Sequence, residues 1–280
     1  MQLGVVMTGT GAYAASAIGV MQALADRGIE PHAVCGLQAG AWPAALYLSG
    51  RDAQGMAQAA QEAAQAGGGL VRMRAFPDLR RGRCALADAR KLERLLLSQL
   101  GAQPLALCPR RGIMVCRAAQ PDHRVVFSSR AYRQESGVVL GMQVSLSFAA
   151  RAAMALPPFL APMLWMGAPL LPEESTAFAC RQLLAMGAQR VLIVMPQMSG
   201  RRRPDALELT GLLLHARQIE DERVGLLRVT MPEELGARSV AKLPACVQAG
   251  RETAERELDA LLRQLGMGGC RVLPFRRSSL

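Results

Sequence analysis

Lysine is almost missing from this chain: Lys91 and Lys242 are the only two, although Lys and Arg together number 33 against 22 acids in 280 residues. The net charge of +11 is therefore an arginine charge. Aromatic residues are also scarce, at 4%. Short basic clusters occur at Arg80-Arg81-Gly82-Arg83, Arg110-Arg111, Arg201-Arg202-Arg203 and Arg276-Arg277. They lack the interleaved aromatics on which single-stranded nucleic acid stacks, so no nucleic acid is expected as a partner. What they permit is a peripheral contact with an anionic membrane; the plainer reading is solvated loops. Seven cysteines (35, 84, 108, 116, 180, 246 and 270) contain no CxxC pair and no histidine at metal-ligand spacing. No metal site or cofactor is expected from them, and reduced core thiols fit a cytoplasmic protein. A basic n-region is lacking at the N-terminus, so "LGVVM" reads as a first strand and not as a signal peptide.

Charge is missing altogether from Ala152 to Pro172, a run of 21 residues. That length could span a bilayer. Five prolines (157, 158, 162, 169 and 172) exclude a lipid-exposed helix, because each removes a backbone donor. The run is expected to be an apolar loop that lines a pocket or touches a membrane surface.

The rest of the chain alternates short apolar runs with helical patterns. Strands are expected at Leu3–Met7, at His32–Cys35, on either side of a turn through Gln120, Pro121 and Asp122, and at "RVLIVMP" and "VGLLRVTMP". Helices are expected over Ala14–Arg27, from the small residues after Gly40 to Leu48, from Asp88 to Leu100, over Ser175–Met186 and over Val247–Leu265. This alternation predicts an α/β fold, a mostly parallel central sheet between helical layers, in one domain over 1–280. Gly67–Gly69 and Arg201–Pro204 read as loops, and residues 271–280 as a frayed tail.

"VCGLQAG" and the residues around it have the form of a nucleophile elbow, a strand and a helix joined by Gly36-Leu37-Gln38-Ala39-Gly40. Before it, Thr8-Gly9-Thr10-Gly11-Ala12-Tyr13-Ala14 runs into "ASAIGVMQAL". After it come "LADARKLERLL", "RAAMALPPFLAPM", "RQLLAMGAQRVLIVMP" and "VQAGRETAERELDALL". In order and spacing these segments resemble the patatin-like phospholipase family, from the first strand to about Leu265. The resemblance implies a three-layer α/β/α sandwich and a lineage of acyl hydrolases that use a Ser–Asp dyad. It places the oxyanion loop at Gly9, Thr10, Gly11 and Ala12, the elbow between Gly36 and Gly40, the nucleophile position at Gln38 and the base position at Met166, in Met166-Gly167-Ala168.

The departures fall on the chemistry. A carboxamide is no acyl acceptor, and a thioether is no general base. Thr10 and Ala14 stand where the family has glycines, and Tyr13 where it has a basic residue. A β-branched threonine resists positive φ, so the loop is expected to follow a changed path. No catalytic residue is therefore expected, and the chain reads as an inactive relative with a lipid or acyl ligand, a protein partner, or both. Ser16, Phe159, Met163, Trp165 and Gly167 are candidates for the pocket lining. Met154, Met163 and Met166, with Phe159, Leu160 and Trp165, would either form an acyl tunnel or fill an old active site.

Two alternatives remain open. One is a divergent esterase with a relocated nucleophile, for which Ser16 or a cysteine must approach a base. Cys35, on a strand, reads as a core thiol, and His32, His123, His215, Asp122 and Asp205 as structural or solvated. The other takes Gly9-x-Gly11-x-x-Ala14 as a dinucleotide turn, but the second strand lacks the acid that would hold the ribose.

Overall fold

The run Leu3–Met7 forms β1 and is buried at every position, as expected of a strand covered on both faces. The computed structural model describes residues 2–66, 72–73, 87–119, 122–157, 159–198 and 221–267. The expected loops at 67–69 and 201–204, the clusters at 80–83, 201–203 and 276–277, and the tail 271–280 lie outside the described residues. So do Cys84, Gln120, Pro121, Pro158, Asp205, His215 and Cys270.

Helix α1 (Ser16–Asp26) follows β1 through a 3-10 turn at Gly11–Ala15, and β2 (Ala33–Gly36) leads by a second short turn into α2 (Ala41–Leu48). Helix α3 (Ala53–Gln65), capped by the Asp52 side chain on the Gly55 N–H, comes next. A small strand pair, β3 (Arg72–Met73) with β4 (Ala87–Asp88), precedes α4 (Arg90–Leu100). The chain continues through β5 (Gly112–Ala118), β6 (His123–Ser128), β7 (Val138–Gly141), α5 (Leu146–Ala153), β8 (Met163–Trp165), β9 (Ala168–Pro172), α6 (Thr176–Ala185), β10 (Arg190–Met198), β11 (Val224–Met231) and α7 (Leu243–Gln264).

The main sheet runs β11-β10-β1-β2-β5-β6-β7. Pairings from β11 to β5 are parallel; β6 and β9 run antiparallel to β5. Leu3, Val5 and Met7 face one layer, with α1, α2, α3, α4, α5 and α7. Val6, Cys35, Ile113 and Val115 face the other, with Phe178 and Leu183 of α6. This is the expected α/β/α sandwich with a mostly parallel sheet.

Helices α1 and α7 cross in close contact: a Cβ on Gly19 would lie 2.0 Å from the Val247 carbonyl oxygen, and one on Gly250 2.0 Å from that of Ser16. From β1 the chain passes to β2 on one side, while β10 pairs on the other. The carboxyl ends of β1 and β2 therefore sit at a switch point, where open α/β sheets place their ligands.

The charge-free run is not one loop. Met163–Trp165 and Ala168–Pro172 form an antiparallel hairpin that docks on β5, with Cys116 paired to Pro172 and Ala118 to Leu170. Pro169 and Pro172 are tolerated because the hairpin lies at a sheet margin, where a missing donor costs little. Among the described residues no helix is long and apolar enough to cross a membrane.

Candidate functional site

Leu37 is extended, with φ −115°, and Gln38 then turns to φ +51° before α2 begins. That left-handed backbone is the sharp strand-to-helix turn that holds an elbow residue in a pocket. It costs an L-residue about 1–2 kcal/mol. The flanking glycines answer to packing. A Cβ on Gly36 would meet the Ala41 Cα at 2.5 Å, and one on Gly40 would meet the Met7 carbonyl oxygen at 2.1 Å. Gln38 is 6% exposed, and its Nε2 is buried with no hydrogen-bond partner among the described residues.

The Gly9–Ala12 loop lies over the elbow. Gly9 (φ +132°) and Gly11 (φ +55°) take the positive φ angles, whereas Thr10 stays extended at φ −109°. The loop thus avoids strain at its β-branched residue by bending at the glycines on either side. Two backbone donors beside the elbow are engaged within the protein. Ala39 N–H donates to the Gly9 carbonyl at 3.2 Å, and Ala12 N–H donates to the Ala237 carbonyl at 2.7 Å. Tyr13 Oη donates to the Leu235 carbonyl at 2.8 Å, so the strand-to-helix connection after β11 is tied down over the loop. A Cβ at Gly11 would come 2.1 Å from the Ala237 oxygen. A backbone carbonyl therefore sits against the helix start that a dinucleotide phosphate would need.

Under this roof a cavity of about 160 Å³ opens, lined by Gly9–Ala12, Gln38, Ala39 and a set of apolar side chains. Trp42 supplies one wall, its indole N–H donating to Gln99 Oε1 at 2.9 Å. Leu92 and Leu95 of α4, Met154, Leu156, Phe159 and Leu160 supply another. Arg151, 4% exposed, fastens these walls together: its Nε donates to Glu93 Oε1 at 3.2 Å and its Nη2 to the Ala161 carbonyl at 3.1 Å. Burial lowers the arginine pKa, and Glu93 opposes that shift. At the rim, Arg238 is exposed and is the one charged side chain among the described lining residues.

Of the residues expected to line a pocket, Phe159 is in the cavity wall; Ser16, Met163, Trp165 and Gly167 are outside it. Ser16 is fully buried beneath α7, and its Oγ has no partner among the described residues, so no base reaches it. Trp165 packs edge-on against Phe127, centroids 5.4 Å apart, on the sheet margin. Met166 neither lines nor fills the cavity. It forms with Gly167 a two-residue hairpin turn, at φ +50° and +80°, and is 84% exposed. A Met-Gly pair between two short apolar runs is a weak turn signal, and the glycine at its second place is the part that could have been read.

Cys35, Cys108, Cys116, Cys180 and Cys246 are free and buried. Desolvation pushes the Cys35 and Cys116 thiols well up, and the Cys180 and Cys246 thiols to about 12, which is the wrong direction for a nucleophile. His32 Nε2 lies 3.3 Å from the Met186 carbonyl oxygen, away from the cavity. No cluster of three or more metal-ligating side chains occurs among the described residues. Arg110 and Arg111, the one expected basic cluster within the described residues, are held locally: Arg110 stacks on Tyr47 at 4.2 Å and pairs with Glu30 at 3.3 Å, and Arg111 meets His32 at 3.2 Å. The site can bind an apolar group and offer a carboxamide to its polar end.

Residues 5–171 match the family model described as patatin-like phospholipase. A search of curated proteins gives no match. Among solved structures the chain is similar to VipD from Legionella pneumophila, at 13% identity and a TM-score of 0.52, covering 93% of this chain and 67% of VipD. It is also similar to the type III effector ExoU, at 17% identity and a TM-score of 0.41, over 94% of this chain and 53% of ExoU. ExoU in its heterodimeric complex with SpcU, from Pseudomonas aeruginosa, gives 14% identity and a TM-score of 0.38, covering 91% of this chain and 51% of that one. At these identities the likeness is one of fold, and the chain spans about half the length of the ExoU structures.

Proposed function

Because this chain belongs to the patatin-like phospholipase family, we propose that it is a catalytically inactive member that binds an acyl chain in the cavity beneath its elbow. Gln38 carries this reading: it holds the strained elbow conformation and faces an apolar cavity, but its carboxamide cannot accept an acyl group. Two further features support it. The backbone donor after the elbow and the Ala12 donor are engaged by the Gly9 and Ala237 carbonyls, which leaves them unavailable to an oxyanion. Met166, at the base position, is on an exposed hairpin tip. The relocated-nucleophile reading loses support at Ser16, which is sealed under α7 without a base. A regulatory contact with another protein or a peripheral one with a membrane would use the exposed Leu164 and Met166 of the same hairpin.

The test is ester hydrolysis by the purified chain, with short- and long-chain acyl esters and a phospholipid, a serine-reactive fluorophosphonate label, and mass spectrometry of co-purifying lipid. The expected result is no turnover, no label and a bound acyl compound that Gln38→Ala loses or weakens. Turnover that survives Gln38→Ala, with the label mapped to a serine, would overturn the proposal.

A further inference from the structure

Among the described residues only two that are not glycine take positive φ: Gln38 in the elbow and Met166 at the tip of the β8–β9 hairpin. Met166 is also the most exposed of the large apolar side chains described, at 84%, followed within the hairpin by Leu164 at 68%. It carries two costs at once, a left-handed backbone and apolar surface in water. A two-residue hairpin turn with both φ positive favours Asn-Gly, so the turn itself asks for a polar residue where this methionine stands. The tip is firmly mounted. Trp165 packs edge-on against Phe127, and β9 is paired to β5. Leu164 stands opposite Pro169, which extends the apolar face of the hairpin.

Such a tip is a poor protein contact and a good lipid one. Two side chains at a turn make a small convex point, far below the about 800 Å² per partner that a stable protein interface buries. A bilayer needs no matching surface: each apolar side chain that enters the acyl boundary contributes by itself. No charge lies between Ala152 and Pro172 to oppose entry, and a tryptophan beside the tip suits the interfacial region. The net charge of +11 draws the chain to anionic lipid. We infer that the β8–β9 hairpin docks this protein on an anionic membrane surface. Leu164 and Met166 enter the boundary between head groups and acyl chains, Trp165 lies at the interface, and the arginine charge holds the protein against the surface. Docking of this kind needs neither turnover nor an acyl ligand in the cavity.

The experiment is co-sedimentation of the purified chain with vesicles of phosphatidylcholine alone and of phosphatidylcholine mixed with phosphatidylglycerol. Binding should favour the mixed vesicles and weaken with added salt. Each of the two tip side chains should raise the partition coefficient about tenfold. Met166→Asn should therefore lower it about tenfold while raising Tm, because asparagine tolerates the left-handed turn. Leu164→Thr/Met166→Asn should lower it about 100-fold, with threonine keeping the strand. Brominated acyl chains should quench the fluorescence of bound protein, and Trp165→Phe, which keeps an aromatic ring against Phe127, should remove that quenching because Trp42, the other tryptophan, is buried. Full binding by the double variant, or quenching that persists in full in Trp165→Phe, would refute docking through the hairpin. Equal binding to both vesicles would refute selection of an anionic surface. Binding to neither would refute membrane docking and leave the tip to a protein partner. The tip variants leave the cavity intact, so acyl compound that co-purifies with the parent should co-purify with them, and the cavity and the hairpin are tested separately.

Discussion

Replacement of Gln38 by glycine should stabilise this protein, although it deletes a buried side chain. At an ordinary buried helical site the same change would be destabilising. Here two costs of the native residue are removed. The φ of +51° costs an L-residue about 1–2 kcal/mol and glycine almost nothing. The unpartnered Nε2 costs about 1–3 kcal/mol while buried. Opposing terms are about 1.6 kcal/mol for two methylenes returned to a less apolar setting, and about 0.5–1 kcal/mol for the greater freedom of glycine in the unfolded chain. The midpoints leave a gain of about 1 kcal/mol. Unfolding entropy scales at about 2.1 cal/mol/K per residue, so for a chain of this length 1 kcal/mol corresponds to about 2 °C in Tm. Calorimetric melting of the ligand-free proteins, with urea midpoints at constant m-value as a second measure, reads the sign directly. A loss of 1 kcal/mol or more in Gln38→Gly would show that the amide is paired or the turn relaxed, and the strain argument would fall.

The double variant Gln38→Ser/Met166→Asp should remain without measurable esterase turnover, since the acid stands on an exposed tip and the Ala12 and Ala39 N–H groups stay engaged; acyl-enzyme formation in a stopped assay checks this. Gly250→Ala should lose about 3 kcal/mol, the upper end of ordinary overpacking, because its Cβ would meet the Ser16 carbonyl oxygen at 2.0 Å; Tm reports it. Glu93→Ala should cost about 1–2 kcal/mol, less than a fully buried pair because Glu93 is half exposed, and should loosen the cavity wall that Arg151 fastens; the loss should appear in both Tm and acyl affinity. Alkali should destabilise the chain. The Cys180 and Cys246 thiols have folded pKa values of about 12 against an ordinary 9.0. Their contribution is complete below pH 9 and is lost as pH rises from 9 toward 12, at up to about 1.4 kcal/mol per pH unit for each thiol. A pH series of urea melts should show stability falling above pH 9, with thiol alkylation confined to the unfolded state.

Much of the frame was legible because it is written locally. The apolar run of β1, the glycines around Gln38 and the amphipathic pattern of the last helix each predict their element from neighbours alone. The hairpin at 163–172 was not, since it carries prolines 169 and 172 and no alternation of polar and apolar residues; its strands exist by docking on β5. Helices α3 and α5 are missing from the expected elements although the signal is there: Met56, Ala59, Ala60 and Ala63, and Leu146, Ala149, Ala150 and Ala153, recur at helical spacing and are buried. In the candidate site, Gln38 and Phe159 could be placed from sequence, but Met166 could not. Its position depends on a turn whose first residue is a poor turn former. The engagement of Ala12 and Tyr13 by Ala237 and Leu235 joins residues more than 220 positions apart, and local patterns carry no trace of that.

The elbow's persistence and its lack of a nucleophile have separate physical causes. Gly36 and Gly40 stay because β2, α2 and β1 approach too closely for any side chain, a demand of the sheet–helix junction that exists whatever stands between them. Gln38 gains nothing from that demand. It is held in a left-handed turn with an unmet donor, so the fold alone would favour glycine there. A side chain kept against local stability is the ordinary mark of a site that uses it. Gln38 lines a largely apolar cavity. Strain at Gln38 and affinity for an acyl ligand should therefore trade against each other. Gln38→Gly should melt higher and bind more weakly, and a variant that gained stability with no loss of affinity would place the use of Gln38 somewhere other than this cavity.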